Sequence, residues 1–324
     1  MKNNNRVFIL TELILGALVI IVAVAMLRDN TEKNLDKVSV IIENSDDNQW
    51  NAFKYGLRMA AEDQNVEMFV VGTEGVMSAE DQENMVLQEI DNGADAVIVQ
   101  PVPGNDSESM LNRIKNSIPV MSVGTAVSLN EENSSLPVVE ADNFAMGKAL
   151  AEEILEDYAG KLEGKALGII SETLDTEASA NRRDGFESVI EDTGAVISWT
   201  IDDFSNPEAG YYLEKQPEAD LVIAMDDVSL TAAGKAAAAN DLHGAVVYGI
   251  GHSTEAVYYV DTGVVECLVV PDEFSIGYYS LAEISESLQH YLYRPEKKIV
   301  PYTVLRREEL FSEKNQELLF TMNQ

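Results

Sequence analysis

The side chains of this sequence that could do chemistry are mostly carboxylates, and they stand just past short apolar runs. Glu43, Asp46, Asp47, Gln49 and Trp50 follow the run at 38–42, and Thr125 follows Gly124 after the run at 119–123. Glu172, Asp202, Asp203, Phe204, the adjacent pair Asp226 and Asp227, His252 and Asp272 come later. Carboxylates and amides accept hydrogen bonds from hydroxyls and amines, and aromatic rings offer a stacking or cation-attracting face. Such a set suits the holding of a small polar ligand with an apolar face. It does not suit catalysis: Asp226 and Asp227 are neighbours that point different ways, and no nucleophile accompanies them. The chain is expected to be no enzyme. His243, His252 and His290 lack metal-ligand spacing, and Gly72 and Gly75 are not followed by the Gly-Lys-Ser/Thr of a phosphate loop. Neither a metal nor a cofactor is expected.

Each candidate also has a structural role open to it. Asp226 and Asp227 precede Ser229 at a helix start, where an Asp can cap free N–H groups. Asp227 is the expected cap and Asp226 the ligand-facing member. Trp50 shares a helical face with Phe53 and Leu57, as a core residue would, but its place in the first turn after a strand end favours the cleft. Arg182 and Arg183 read as surface ion-pairing residues.

The formal net charge of −34 excludes nucleic acid as a partner, because phosphates would be repelled, and argues against a domain lying flat on anionic lipid. The single cysteine, Cys267, rules out an intramolecular disulfide and sits in a mostly apolar run, where a buried thiol is expected. Residues 7–27 are apolar except for Thr11 and Glu12, and as a helix would span about 30 Å, the thickness of a bilayer core. Lys2 and Arg6 before them place the N-terminus in the cytoplasm and the rest of the chain outside. Ala23-Val24-Ala25 resembles a cleavage site, so two outcomes stand: an uncleaved anchor, which the length of the apolar stretch favours, or a cleaved, secreted protein. Residues 28–37 are a polar tether.

The elements that must position the candidates follow from periodicity. Strands are expected at 38–42, 66–71, 96–100 and 119–123, and helices at 48–64, 79–92 and 107–116, an alternation that builds a parallel sheet with helices on both faces. The plan then restarts. The run at 165–171 echoes 38–44, Ala219-Asp-Leu-Val-Ile echoes Ala94-Asp-Ala-Val-Ile, and the segment closing on Gly251 echoes the one closing on Gly124. Two similar α/β lobes would face each other across a cleft, with ligand bound beyond the carboxyl ends of their strands.

Asn92-Gly-Ala-Asp-Ala-Val-Ile-Val-Gln-Pro, Ile118-Pro-Val, Ala141-Asp-Asn followed by Gly147, and Arg182-Arg-Asp-Gly-Phe occur in this order and spacing. Together they make the chain from about Lys37 to Leu305 resemble the type I periplasmic binding proteins, in the ribose-binding-like branch. The sensor domains of lactose-repressor-like regulators share that fold, but those carry an N-terminal helix-turn-helix where this chain has its apolar segment. The resemblance implies two Rossmann-like lobes with parallel sheets joined by a hinge of three crossovers, near Thr125, Gly251 and Asp272, preceded by one transmembrane helix. The expected division is 1–37 as cytoplasmic tip, anchor and tether, 38–126 plus 272–298 as lobe one, 136–269 plus 299–305 as lobe two, and 306–324 as a tail. Leu310, Phe311, Leu318 and Leu319 would pack that tail back as a helix.

The resemblance also implies a site. Asp47 falls where the family often has an Asn on the sugar, Gln49 and Trp50 where it has paired aromatics, Phe204 on the opposite wall, and Asp226 where hydroxyls are bound. Glu43, Thr125, His252 and Asp272 complete the expected set. Departures are equally plain: Gly124-Thr125 replaces an Asp-Arg pair, Ala180 an Arg, Gly251 an Asp and Pro271 a Gln. A sugar-like, polyol or amino-bearing ligand is expected rather than an anionic one. The implied role is capture of solute for an ABC permease, or alternatively its presentation to a histidine kinase or chemoreceptor.

Overall fold

The computed structural model describes residues 15–20, 35–72, 77–104, 106–125, 136–204, 213–290 and 292–324. The expected anchor at 7–27 lies outside the described residues except for helical residues 15–20. Among the described residues no helix is long and apolar enough to cross a membrane. Asp36–Gln324 forms one compact unit.

Strands and helices alternate as the periodicity demands. β1 (Lys37–Ile41), α1 (Asn51–Gln64), β2 (Glu67–Val71), α2 (Ala79–Asp91), β3 (Ala96–Val99), α3 (Asp106–Ile114) and β4 (Val120–Val123) are followed by β5 (Val138–Ala141) and α4 (Asn143–Asp157). The plan repeats in β6 (Ala166–Ile170), α5 (Glu177–Ile190), β7 (Val196–Ile201), β8 (Leu221–Ala224), α6 (Asp227–Ala238), β9 (Val246–Ile250), α7 (Thr254–Asp261) and β10 (Val265–Pro271). α8 (Glu273–Gln289), β11 (Lys298–Val300), β12 (Tyr302–Arg306) and α9 (Gln316–Met322) complete the chain. Local signals start the helices: a Ser78–Asp81 capping box opens α2, and Thr176 and Ser253 cap α5 and α7.

Two sheets result, with orders β11-β5-β4-β3-β1-β2 and β12-β10-β9-β8-β6-β7. The first is parallel throughout, and in the second only β12 runs antiparallel, against β10. Central strands such as β3, β4 and β8 are buried along their whole length, because helices cover both faces of a parallel sheet. The edge strands β2, β7 and β11 leave Phe69, Val196, Ile197 and Ile299 exposed.

The sheets correct the expected boundaries. β5, assigned from sequence to the second lobe, pairs with β4 in the first, and β11 pairs with β5 there as well. All four residues of β5 are buried, so the strand needs the cover that only an interior position in the sheet supplies. The chain therefore changes lobes at Asp142 between β5 and α4, at Asp272 between β10 and α8, and at Pro301 between β11 and β12. The crossovers expected at Thr125 and Gly251 are not there. Asp142 and Asp272 each cap the helix they lead into, at 3.0 Å from the Ala145 N–H and 2.9 Å from the Ser275 N–H, and the Asp272 N–H donates to the Pro301 carbonyl at 3.1 Å.

One helix pair backs each lobe: α1 with α8 in the first, α4 with α5 in the second. Reciprocal glycines set both crossings. A Cβ on Gly56 would stand 2.1 Å from the Phe274 carbonyl oxygen, and one on Gly277 2.1 Å from that of Phe53. The second pair matches: Gly147 would meet the Arg182 carbonyl at 1.9 Å and Gly185 that of Phe144 at 2.1 Å. The helices that enter from the crossovers share one pattern, Asp142-x-Phe144-x-x-Gly147 and Asp272-x-Phe274-x-x-Gly277.

The tail folds back partly as expected. Leu310 is buried in the second lobe's apolar cluster with Met322, and Leu318 and Leu319 pack on it, but Phe311 is 67% exposed. Phe320 sits edge-on to Tyr55 of α1, 6.2 Å between centroids. Cys267 is fully buried, which pushes its thiol up to about 12.

Candidate functional site

A cavity of about 620 Å³ lies where the carboxyl ends of the two sheets meet. The lobes touch at its margins. The Ala178 N–H donates to Thr125 Oγ1 at 3.2 Å, the Gly104 N–H to the Asp175 carbonyl at 3.3 Å, and His252 Nδ1 lies 3.9 Å from a Glu273 oxygen.

Lobe one supplies its aromatic wall. Asp47 caps the short turn Asn48–Trp50 through the Gln49 N–H, and that turn aims the indole. Trp50 Nε1 donates to the Glu43 carbonyl at 3.1 Å and the ring lies edge-on to Phe53, centroids 5.5 Å apart, so its orientation is fixed on two sides. Gln49 and Glu43 line the cavity beside it, and burial pushes the Glu43 carboxyl up.

Lobe two supplies charge. Asp226, not Asp227, caps α6: its oxygens accept from the Ser229 N–H at 2.8 Å and the Glu172 N–H at 2.7 Å. Asp227 instead ties the segment after β9, accepting from the N–H groups of His252 at 2.7 Å and Ser253 at 2.8 Å. Both carboxylates line the cavity while anchored from behind. Burial outweighs these bonds and raises the Asp226 carboxyl. Glu172 is pushed up to about 7, first by burial and then by the facing charges of Asp226 and Glu43.

Of the residues expected from sequence, Glu43, Gln49, Trp50, Thr125, Asp226 and His252 line the cavity. Three do not. Asp47 is exposed and serves the turn beneath Trp50. Phe204 is 5% exposed and buried in the second lobe's own core with Ile170 and Trp199, while Asp202 and Asp203 before it reach the cavity. Asp272 caps α8, and Glu273 after it enters the cavity in its place.

Sequence reasoning missed Glu273 and Arg182. Arg183 is indeed an ion-pairing residue, bonded to Glu187 and Asp202. Arg182 is not: it lines the cavity, donating from Nε to Asn143 Oδ1 at 2.7 Å and from Nη1 to the Met225 carbonyl at 3.1 Å. Burial pulls its guanidinium down while Asp226, Glu273 and Glu172 hold it up. The signal was present, because Arg182 stands one helical turn before Gly185 on the face pressed against α4.

The sequence pattern described as Periplasmic binding protein domain matches residues 38–290. No curated protein matches the chain. Among solved structures, a carbohydrate transporter solute-binding protein from Agrobacterium radiobacter in complex with D-arabinose aligns with TM-score 0.77 at 16% identity, over 89% of this chain and 99% of its own. GanP, a glucose-galactose binding protein from Geobacillus stearothermophilus, aligns with TM-score 0.73 at 18% identity, over 86% and 100%. The XylFII-LytSN complex aligns with TM-score 0.71 at 14% identity, over 85% and 98%. At such identities these three carry the fold, and the matched pattern, which spans most of the chain, carries the family. The chain belongs to the periplasmic binding protein family, extracytoplasmic solute binders and not enzymes.

Proposed function

We propose that this protein captures a small polar, sugar-like solute between its lobes and delivers it to an ABC importer, held at the outer face of the membrane by residues 7–27. The observation that carries the reading is a cavity between strand ends with a fixed indole on one wall and hydrogen-bond acceptors on the other. A ring with hydroxyls on its edge and C–H groups on its face matches both walls. Proteins of similar fold that hold arabinose, or are described as binding glucose and galactose, agree with that class. Anionic sugars fit poorly, because among the described residues that line the cavity carboxylates outnumber Arg182, which also donates to Asn143 and the Met225 carbonyl.

A sensory role is the second reading, favoured by the likeness to the XylFII-LytSN complex. Ligand would act in either role by preferring the closed form. A thermal-shift screen of sugars, polyols, amino sugars and sugar acids tests the ligand class; a response confined to acids would overturn it. Trp50→Ala is expected to weaken binding by about 1–3 kcal/mol, roughly fivefold to a hundredfold or more, measured by calorimetry. Co-purification of the full chain with a permease or with a kinase separates the two roles.

A further inference from the structure

The lobes set equivalent carboxylates against each other. β1 and β6 hold the same place in the order of their sheets, and Glu43 and Glu172 each stand two residues past the end of one of them. Both line the cavity, and the charge of Glu43 reaches Glu172 across it. Glu43 has a neutral partner, and Glu172 shares its cation with Asp226 and Glu273. Glu43 accepts the Met77 N–H, a neutral donor. Glu172 has one favourable charge, Arg182 from α5, opposed by Asp226 and Asp227 from the start of α6 and by Glu43 from the other lobe. Arg182 gives its own hydrogen bonds to Asn143 and the Met225 carbonyl.

Where the lobes meet, like charges therefore stand together in a partly desolvated space, where Coulomb energies grow as the effective dielectric falls. Hydroxyl groups would satisfy the oxygen lone pairs but leave the repulsion. A divalent cation would remove it but asks for more oxygen ligands than two carboxylates supply, and the described residues hold no metal-binding group of three.

We infer that the solute carries a protonated amine, held between Glu43 and Glu172, whose charge lets the two lobes close. This rests on reading the cavity as the solute site. Trp50 and Gln49 then hold the polyol body of the same ligand, and the amine lies beside the residues that follow β1 and β6. The inference has a pH signature. Glu172, at about 7, is ionised above neutrality and protonated below it. Affinity for an amine that keeps its proton should fall as the pH drops through 7, because the site loses half of its carboxylate pair.

The test is calorimetry on the full chain with matched probes: D-glucosamine against D-glucose, D-galactosamine against D-galactose, and glucamine against sorbitol. Glucamine, whose amine keeps its proton across the range, is expected to bind at least about tenfold tighter than sorbitol near pH 8 and to lose severalfold between about pH 8 and pH 6, with the hexosamine pairs compared near pH 7. Glu172→Gln should remove both the amine advantage and the pH dependence, and Glu43→Gln should halve the advantage or more. If neutral members bind as tightly as amines, the amine inference falls and the solute reading stands. If no member of any pair binds, both fall. Should either variant fail to fold, the wild-type pairs and their pH series decide the matter alone.

Discussion

The helix pairs that back the two lobes are built alike and face the cavity differently. Reciprocal glycines, Gly56 with Gly277 and Gly147 with Gly185, let each pair of backbones approach to the same closeness. Superposed through those contacts, Phe53 of α1 occupies the place of Arg182 in α5, and Glu273 of α8 the place of Asn143 in α4. In lobe two the pair is polar and self-satisfied, guanidinium to amide oxygen at 2.7 Å. In lobe one the aromatic ring offers Glu273 nothing, so that carboxylate looks across the cleft to His252, with Arg182 a second favourable charge. The glycines secure the scaffold, and the positions beside them choose the chemistry of each wall.

The comparison breaks most visibly at the glycines. Gly147→Ala and Gly277→Ala should each cost about 3–4 kcal/mol, because a methyl would meet a backbone carbonyl that cannot move without parting the helices. Urea denaturation should give similar losses for the two. A large loss in one lobe and none in the other would deny that the pairs are equivalent. Next comes Arg182→Leu, which makes lobe two as apolar as lobe one at that place. It strips Glu172, Asp226 and Glu273 of their shared cation and should cost about 3 kcal/mol. Phe53→Leu, the matching change in lobe one, keeps an apolar side chain and should cost about 1 kcal/mol.

The smallest effect sharpens the comparison at Glu273. Burial raises its carboxyl, more than His252 and Arg182 lower it. A carboxyl raised on folding stabilises below its unfolded value and loses that contribution as pH rises through its folded value. Glu273→Gln should therefore be more stable than wild type near pH 8 and equal to it near pH 4, read from melting temperatures across that range. A variant less stable than wild type at pH 8 would mean that the His252 contact outweighs burial.

Much of this was legible in the residues. Apolar runs of strand length between amphipathic helices, twice over, fix a two-lobed α/β plan, because parallel strands buried on both faces leave few other ways to hide them. Strand ends name their followers, and Glu43, Gln49, Trp50, Thr125, Asp226 and His252 all reached the cavity. Helix caps were legible as a class but not by member: Asp226 took the cap expected of Asp227 while still lining the cavity, because both aspartates suit a cap and the backbone at the strand end decides which one stands outside the helix.

What the sequence by itself determined, then, is the alternation, the repeat and the set of side chains offered at strand ends, all of which depend on local periodicity. Only the tertiary structure decided which sheet β5 and β11 would join, and so where the chain changes lobes, because pairing partners lie far apart along the chain. It also decided that Phe204 serves the core while Arg182 and Glu273 line the cavity. A side chain's surroundings there depend on how closely a second helix approaches, and that distance is set by glycines on the helix it meets.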